Sequence, residues 1–243
     1  MHRARWYVLV LLILSRAAQA NAETGYDAWL RYPRLDDSIR DRYASIPRRL
    51  MLVGDSTVLR TARDETIRGL SSMLGEPVVP LTSRGSGSVI VMGLLDRIRM
   101  SMDDPGVPTQ LRADGYWIGR VVTREGPALV VAGQNERGVL YGAFGLLRRI
   151  AAHGDLSQLN DREEPAAPVR WINHWDNLDG TIERGYAGRS IFFEGGRVVD
   201  DLTRVRDYAR LLASVGINGL TINNVNANAV SLQPAYIAKA AAM

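Results

Sequence analysis

The chain has 243 residues, 46% of them hydrophobic, which suffices for a sizeable core in one large domain or two smaller ones. It has no cysteine, so disulfides, thiolate metal sites and a cysteine nucleophile are excluded. Its formal charge of +4 falls to +1 without Arg3, Arg5 and Arg16, and the other arginines are interspersed with Asp and Glu, so no nucleic-acid partner is expected.

In residues 1–20, Arg3 and Arg5 precede the apolar run Val8 to Leu14, and Ala18-Gln19-Ala20 supplies the small residues a signal peptidase needs. This reads as a cleaved secretory signal. The run is too short to span a bilayer, so no membrane association is expected after cleavage. Export without cysteine suits a secreted or periplasmic protein.

Next, the aromatics of Tyr26-Asp27-Ala28-Trp29-Leu30-Arg31-Tyr32 are expected to anchor an N-terminal strand or strap. Arg49 to Val53 reads as a strand, Gly54-Asp55-Ser56 as a turn, and Val58 to Leu74 as a helix ending at Gly75. Ser88 to Gly93 is a second strand. Tyr116 to Val122 and Ala128 to Ala132 form a hairpin around Glu125-Gly126-Pro127. Gly133-Gln134-Asn135-Glu136-Arg137-Gly138 then leads into a helix from Val139 to Ile150. Its spacing fits neither a dinucleotide fingerprint nor a P-loop, and these glycines serve turns. The elements assign residues 21–153 to a small N-terminal α/β domain. The polar stretch 154–168, with Pro165 and Pro168, reads as a linker.

Residues 169–243 give strand Val169 to Ile172, a polar loop to about Arg197, helix Asp200 to Val215, strand Gly219 to Asn223, and a helix from near Pro234. This order matches the first two β/α units of a TIM (β/α)8 barrel, in which loops after the strands build the site. Two strands cannot close a barrel, and an open pair would leave an unpaired edge. The expectation is a chain truncated relative to its functional form.

The loop Asn173-His174-Trp175-Asp176-Asn177-Leu178-Asp179-Gly180 carries the densest chemistry. His, Trp, Asp and Asn are the side chains that stack on a pyranose and hydrogen-bond its hydroxyls. The decapeptide Trp171 to Gly180 that contains it also fits a buried Trp followed by an Asn/Asp-rich turn. His174, Asp176 and Asn177 suit either sugar binding or the positioning of Trp175, whereas Asp179 and Glu183 suit loop ordering better. Asn223, Asn224, Asn226 and Asn228 suit either ligand contact or satisfaction of the loop backbone. Pairing Asp176 with Glu183 or Glu194 as a glycosidase dyad is disfavoured, because carboxylates on one local loop seldom face each other across a substrate. His153 and His174 are too few for a recognisable zinc site, and no cofactor is implied.

Several separated motifs carry a family resemblance. They are Gly25-Tyr26-Asp27-Ala28-Trp29-Leu30-Arg31-Tyr32, Asn135-Glu136-Arg137-Gly138-Val139-Leu140-Tyr141-Gly142, the Asn173 to Gly180 loop, Glu183-Arg184-Gly185-Tyr186-Ala187-Gly188, Asp207-Tyr208-Ala209-Arg210, and Gly216 through Ala227. In this order the chain resembles glycoside hydrolase family 67, the xylan α-1,2-glucuronidases. The resemblance implies hydrolysis, with inversion, of the bond joining glucuronic acid or its 4-O-methyl ether to xylose in xylooligosaccharides. It implies that the catalytic carboxylates and the basic residues clamping the uronate come after Met243, so that this chain alone is inactive. Trp175 matches the family Trp that packs on the sugar, and Val225 a position near the 4-O group. With His174, Asp176, Asn177, Asn224 and Asn226 they make up the expected substrate-binding set. A homodimer is expected only of a full-length form. The competing reading is a non-catalytic carbohydrate-binding protein that uses the Trp175 loop.

Overall fold

A computed structural model describes residues 25–102, 104, 106–222 and 228–243. The expected signal, residues 1–20, lies outside them, as do Asn224, Val225 and Asn226. Residues Met1–Arg31 form one unit, whose described part is a 3-10 turn at Gly25–Ala28 with Tyr26 and Trp29 edge to face. Tyr32–Met243 form the second unit.

The second unit opens with α1 (Asp37–Asp41) and then β1 (Arg49–Val53), α2 (Thr57–Leu74), β2 (Val79–Leu81), β3 (Val89–Leu94) and α3 (Leu95–Ser101). A hairpin of β4 (Tyr116–Thr123) and β5 (Gly126–Gly133) leads to α4 (Glu136–Ala151) and β6 (Asn160–Glu163). The six strands form one sheet in the order β2-β1-β3-β5-β4-β6, with β2, β1, β3 and β5 parallel and β4 antiparallel to both its neighbours. This is the mixed α/β class expected from the sequence.

Both faces of the central strands are buried, so β3 and β5 read as continuous apolar runs and not as alternating ones. Val89, Val91, Val130, Ala132 and Trp117 point to the face that carries Leu95 and Ile98 of α3. On the other face lie Val131 and Tyr116, under α4. There Gly142 and Gly145 have no room for a larger residue: a Cβ at Gly142 would stand 2.7 Å from Val131 Cγ1, and one at Gly145 would stand 2.6 Å from Tyr116 Oη. Helix α4 starts three residues before the sequence pattern suggested, because Asn135 caps it by accepting from Gly138 N at 2.9 Å.

Several elements, among them β2, α3 and β6, were not visible as apolar patterns. Strand β2 is a short, largely exposed edge, α3 is a seven-residue helix directly after β3, and β6 is polar and lies within residues 154–168. Partners fix β6: Trp117 Nε1 donates to Asn160 Oδ1 at 2.6 Å, and Arg149 pairs with Asp161.

The remaining elements are β7 (Trp171–Asn173), β8 (Phe193–Glu194), β9 (Arg197–Val198), α5 (Thr203–Ser214), β10 (Gly219–Thr221), a 3-10 turn (Ala229–Leu232) and α6 (Pro234–Ala240). Strands β7 and β10 pair in parallel, with Trp171 opposite Gly219 and Asn173 opposite Thr221, so β7, α5 and β10 make a βαβ unit. Strands β8 and β9 form a hairpin inside the expected polar loop. Its turn is Gly195-Gly196, both with positive φ, as a two-residue turn of this hand requires. No described helix is long and apolar enough to cross a membrane.

Candidate functional site

The ladder between β7 and β10 continues one residue past the strand, where His174 N donates to Thr221 O at 2.8 Å. Trp175 is therefore the first residue beyond the carboxyl end of a parallel strand pair, which is where open and closed α/β sheets bind ligands. Exposure alternates along the segment: Trp171, Asn173 and Trp175 are exposed, Ile172 and His174 are half-buried, and Asp176 is buried. In extended backbone residues i and i+2 share a face. His174 and Asp176 thus point inward together and Trp175, 43% exposed, points the other way.

The inward side is an aromatic pocket. Phe192 is fully buried and packs with Phe193, Val198 and Val205, joined by Tyr208, Leu220 and Ile222. The His174 ring meets Phe192 edge to face at 5.1 Å and Tyr208 at 5.4 Å. His174 Nε2 and Tyr208 Oη are hydrogen-bonded at 2.9 Å. His174 Nδ1 stands 3.4 Å from Asp176 Oδ1, an oxygen without a hydrogen-bond partner among the described residues although Asp176 is only 3% exposed. Burial, and then the charge of Asp176, push the Tyr208 phenol above its ordinary ionisation range.

Asn177 organises the loop. Its Nδ2 donates to Thr181 Oγ1 at 2.8 Å and to Glu183 O at 2.7 Å, while Glu183 N donates to Trp175 O at 2.8 Å. Glu183 sits at φ 56, in the left-handed region that a non-glycine residue rarely adopts. These bonds hold it there, directly across from Trp175. Asp179 accepts from Thr181 N and Oγ1, and those bonds keep its carboxyl below the ordinary range. Among the sequence-derived candidates, His174, Trp175, Asp176 and Asn177 therefore share one turn with divided roles. Trp175 faces outward, Asn177 ties the loop, and His174 and Asp176 line its inner side. Among the described residues no group of three or more His, Asp or Glu side chains gathers as metal ligands.

Two buried carboxylates of the sheet region hold this turn in place, and sequence reasoning gave neither a role. Asp114 accepts from Asn135 Nδ2, Arg137 Nε and Arg170 Nη2, each at 2.9 Å, and from Asn218 Nδ2 at 3.3 Å. Arg170 and Asn218 are the residues just before β7 and β10, so one carboxylate fixes the start of both strands. Burial alone would raise the Asp114 carboxyl, but the four hydrogen bonds outweigh it and hold the group at about 2. Glu65, on α2, is fully buried. It accepts from Tyr32 Oη at 2.6 Å, from Arg210 Nε and Nη2 at 3.0 Å each, and from Arg68. Burial pushes Glu65 up and the Arg210 and Tyr32 hydrogen bonds pull it down further, below the ordinary range. Arg210 lies on α5 two residues from Tyr208, so Glu65 fixes the helix that supports His174. The only sequence signal for this was the Asp207 to Arg210 motif.

The model of the glycosyl hydrolase family 67 N-terminus matches residues 28–146, and that of the family 67 middle domain matches residues 149–243. The probable α-glucuronidase A of Aspergillus oryzae is 42% identical over 231 residues, covering 94% of this chain and 27% of that protein. The α-glucuronidase of Hypocrea jecorina is 43% identical over 235 residues, covering 91% of this chain and 27% of its own length. The chain thus spans 27% of the length of these curated relatives. A solved family GH115 4-O-methyl-α-glucuronidase with specificity for decorated arabinogalactans aligns at TM-score 0.53 and 17% identity, over 74% of this chain and 25% of that one. A GH138 enzyme targeting pectin rhamnogalacturonan II aligns at TM-score 0.50 and 16% identity, over 72% of this chain and 24% of that one. At such identities these two likenesses concern the fold alone.

Proposed function

The chain belongs to glycoside hydrolase family 67, and on that basis we propose that it builds one wall of the sugar site of an exported α-glucuronidase. The reaction is hydrolysis, with inversion, of the α-1,2 bond between glucuronic acid or its 4-O-methyl ether and xylose in a xylooligosaccharide. The names of the Aspergillus and Hypocrea relatives support the glucuronidase class. The observation that carries the assignment is the exposed Trp175 ring at the carboxyl end of β7, beside a loop tied by Asn177. An indole face presents apolar surface and a π-cloud to the C–H groups of a pyranose.

In this proposal β7 and β10 are the first two strands of a (β/α)8 barrel, in residues 169–243. The exposed row Trp171, Asn173 and Trp175 supports that, because it is the face a closed barrel would turn inward. An inverting glycosidase needs two carboxyl groups about 6.5–9.5 Å apart on opposite sides of the bond. Around Trp175, Asp176 is buried beside His174 and Asp179 holds Thr181, so neither is available for that task. We place the acid, the base and the uronate clamp outside this chain, which then binds without cleaving. From the family resemblance alone we assign Asn224, Val225 and Asn226 to substrate binding as well, with a methyl-ether contact at Val225 worth about 0.8 kcal/mol.

Calorimetry with 4-O-methylglucuronosyl xylotriose tests this. Without a charged clamp the expected dissociation constant is about 1 mM, lost on Trp175→Ala, and no free uronic acid should appear. Equal binding by the Trp175→Ala chain would remove the wall assignment, and release of uronic acid would remove the placement of the carboxylates.

A further inference from the structure

Asp176 and His174 pose a problem that Tyr208 resolves. A buried carboxylate oxygen without a donor bears the full penalty of lost hydration. The imidazole Nδ1 of His174 lies 3.4 Å from Asp176 Oδ1, outside hydrogen-bonding geometry but near enough that a small shift of the ring would make it that donor. A neutral imidazole has one N–H and one lone pair, and which nitrogen carries the proton is set by what each one faces. A lone pair on Nδ1 would face the carboxylate lone pairs and leave Asp176 Oδ1 with nothing. A proton there gives Asp176 its donor and leaves the Nε2 lone pair opposite the Tyr208 hydroxyl, 2.9 Å away. The phenol is suited to donate, because burial and the Asp176 charge both keep it protonated. Edge-on packing against Phe192 and Tyr208 confines the ring, so its two nitrogens do not exchange places easily.

We infer that Tyr208 O–H, His174 and Asp176 form a directed relay in which His174 is fixed as its Nδ1–H tautomer, and that this relay is what turns the Trp175 ring outward. The bonds run from the Tyr208 hydroxyl to Nε2, and from Nδ1 to Asp176 Oδ1. With His174 and Asp176 both drawn inward on one face of an extended segment, Trp175 between them has only the outer face left. Tyr208 and His174 are thus positioning residues for the sugar-stacking ring. Helix α5 keeps Tyr208 in place through Arg210 and the buried Glu65. The consequence for ligand rests on the sugar-wall reading, but the tautomer does not.

The test is nitrogen-15 correlation spectroscopy of the imidazoles in the ligand-free chain at pH 8, with His174 assigned through His174→Gln. The expected spectrum has a protonated Nδ1 and an unprotonated, hydrogen-bonded Nε2. In Tyr208→Phe the Nδ1 proton should stay, while Nε2 shifts downfield to the position of a free lone pair and the Trp175 indole resonance moves. In Asp176→Asn the Nε2–H form should appear, now donating to Tyr208. A wild-type Nε2–H form, an imidazolium, or a Tyr208→Phe spectrum with unchanged Nε2 overturns the relay. A parallel titration with 4-O-methylglucuronosyl xylotriose should show several-fold weaker binding by Tyr208→Phe, and binding equal to wild type would remove the link to Trp175. A wild-type chain that binds no oligosaccharide overturns the sugar reading alone, since the nitrogen spectra are recorded without ligand.

Discussion

Asp114→Asn should weaken the fold by about 2 kcal/mol at neutral pH. Asp114 has φ 63, in the left-handed region, where Asn and Asp are tolerated far better than other non-glycine residues, so Asn keeps the backbone while it removes the charge and turns one of the two acceptor oxygens into an NH2 that faces donors. A carboxyl held at about 2 instead of its ordinary 3.8 contributes about 2 kcal/mol to the folded state at neutral pH. The sign follows from the depressed value. The contribution is fully present above the unfolded pKa and fades as pH falls through about 4 toward 2, leaving about 1 kcal/mol near pH 3. Asp114→Ala should lose about 1 kcal/mol more, because alanine lacks the Asn/Asp tolerance for that region. Urea denaturation of the three chains at pH 7 and pH 3 measures all of this. A wild-type to Asn difference that is equal at the two pH values, or below about 0.5 kcal/mol at pH 7, would refute the reasoning.

Arg210→Met should be more damaging, by about 3–5 kcal/mol in the same assay, because it leaves the fully buried Glu65 without its bidentate partner. Gly142→Ala should destabilise by about 1–3 kcal/mol despite alanine's better helix propensity, since its Cβ meets Val131 Cγ1 at 2.7 Å, and a stabilised variant would show that α4 is less tightly seated. Ser56→Ala should cost about 1 kcal/mol by removing the side chain that accepts from Leu59 N at the start of α2. Trp175→Ala should leave the melting temperature within about 2 °C of wild type, because the ring is exposed and outward, and a larger fall would assign it to the core.

The sequence revealed those parts of the fold whose residues repeat. The apolar runs at Arg49 to Val53 and Ala128 to Ala132, the helical spacing before Gly75 and the strand emptying into Trp175 each carry a local pattern of their own, continuous or periodic, and the structure places an element at each. Strand β6 and the β8–β9 hairpin are too short or too polar to show a period, and they exist because specific partners, such as Trp117 for Asn160, meet them in three dimensions. The same holds at the site. His174 to Asn177 were recognisable as a cluster, but the division between an outward Trp175 and an inward His174 and Asp176 depends on Phe192 and Tyr208, which arrive from other segments. Glu65 looked like one more charge on a helix carrying Arg63 and Arg68. The approach of Arg210, 145 residues away, together with Tyr32 and Arg68, makes it a buried anchor.

The most direct measurement is a chemical-shift map of the nitrogen-15 labelled chain titrated with 4-O-methylglucuronosyl xylotriose and, separately, with unsubstituted xylotriose. The largest changes are expected at the Trp175 indole and the amides of residues 174–183, larger for the acidic sugar. Changes spread over other surfaces, or none at Trp175 at saturating sugar, would contradict the claim that this turn is the wall of a glucuronidase site.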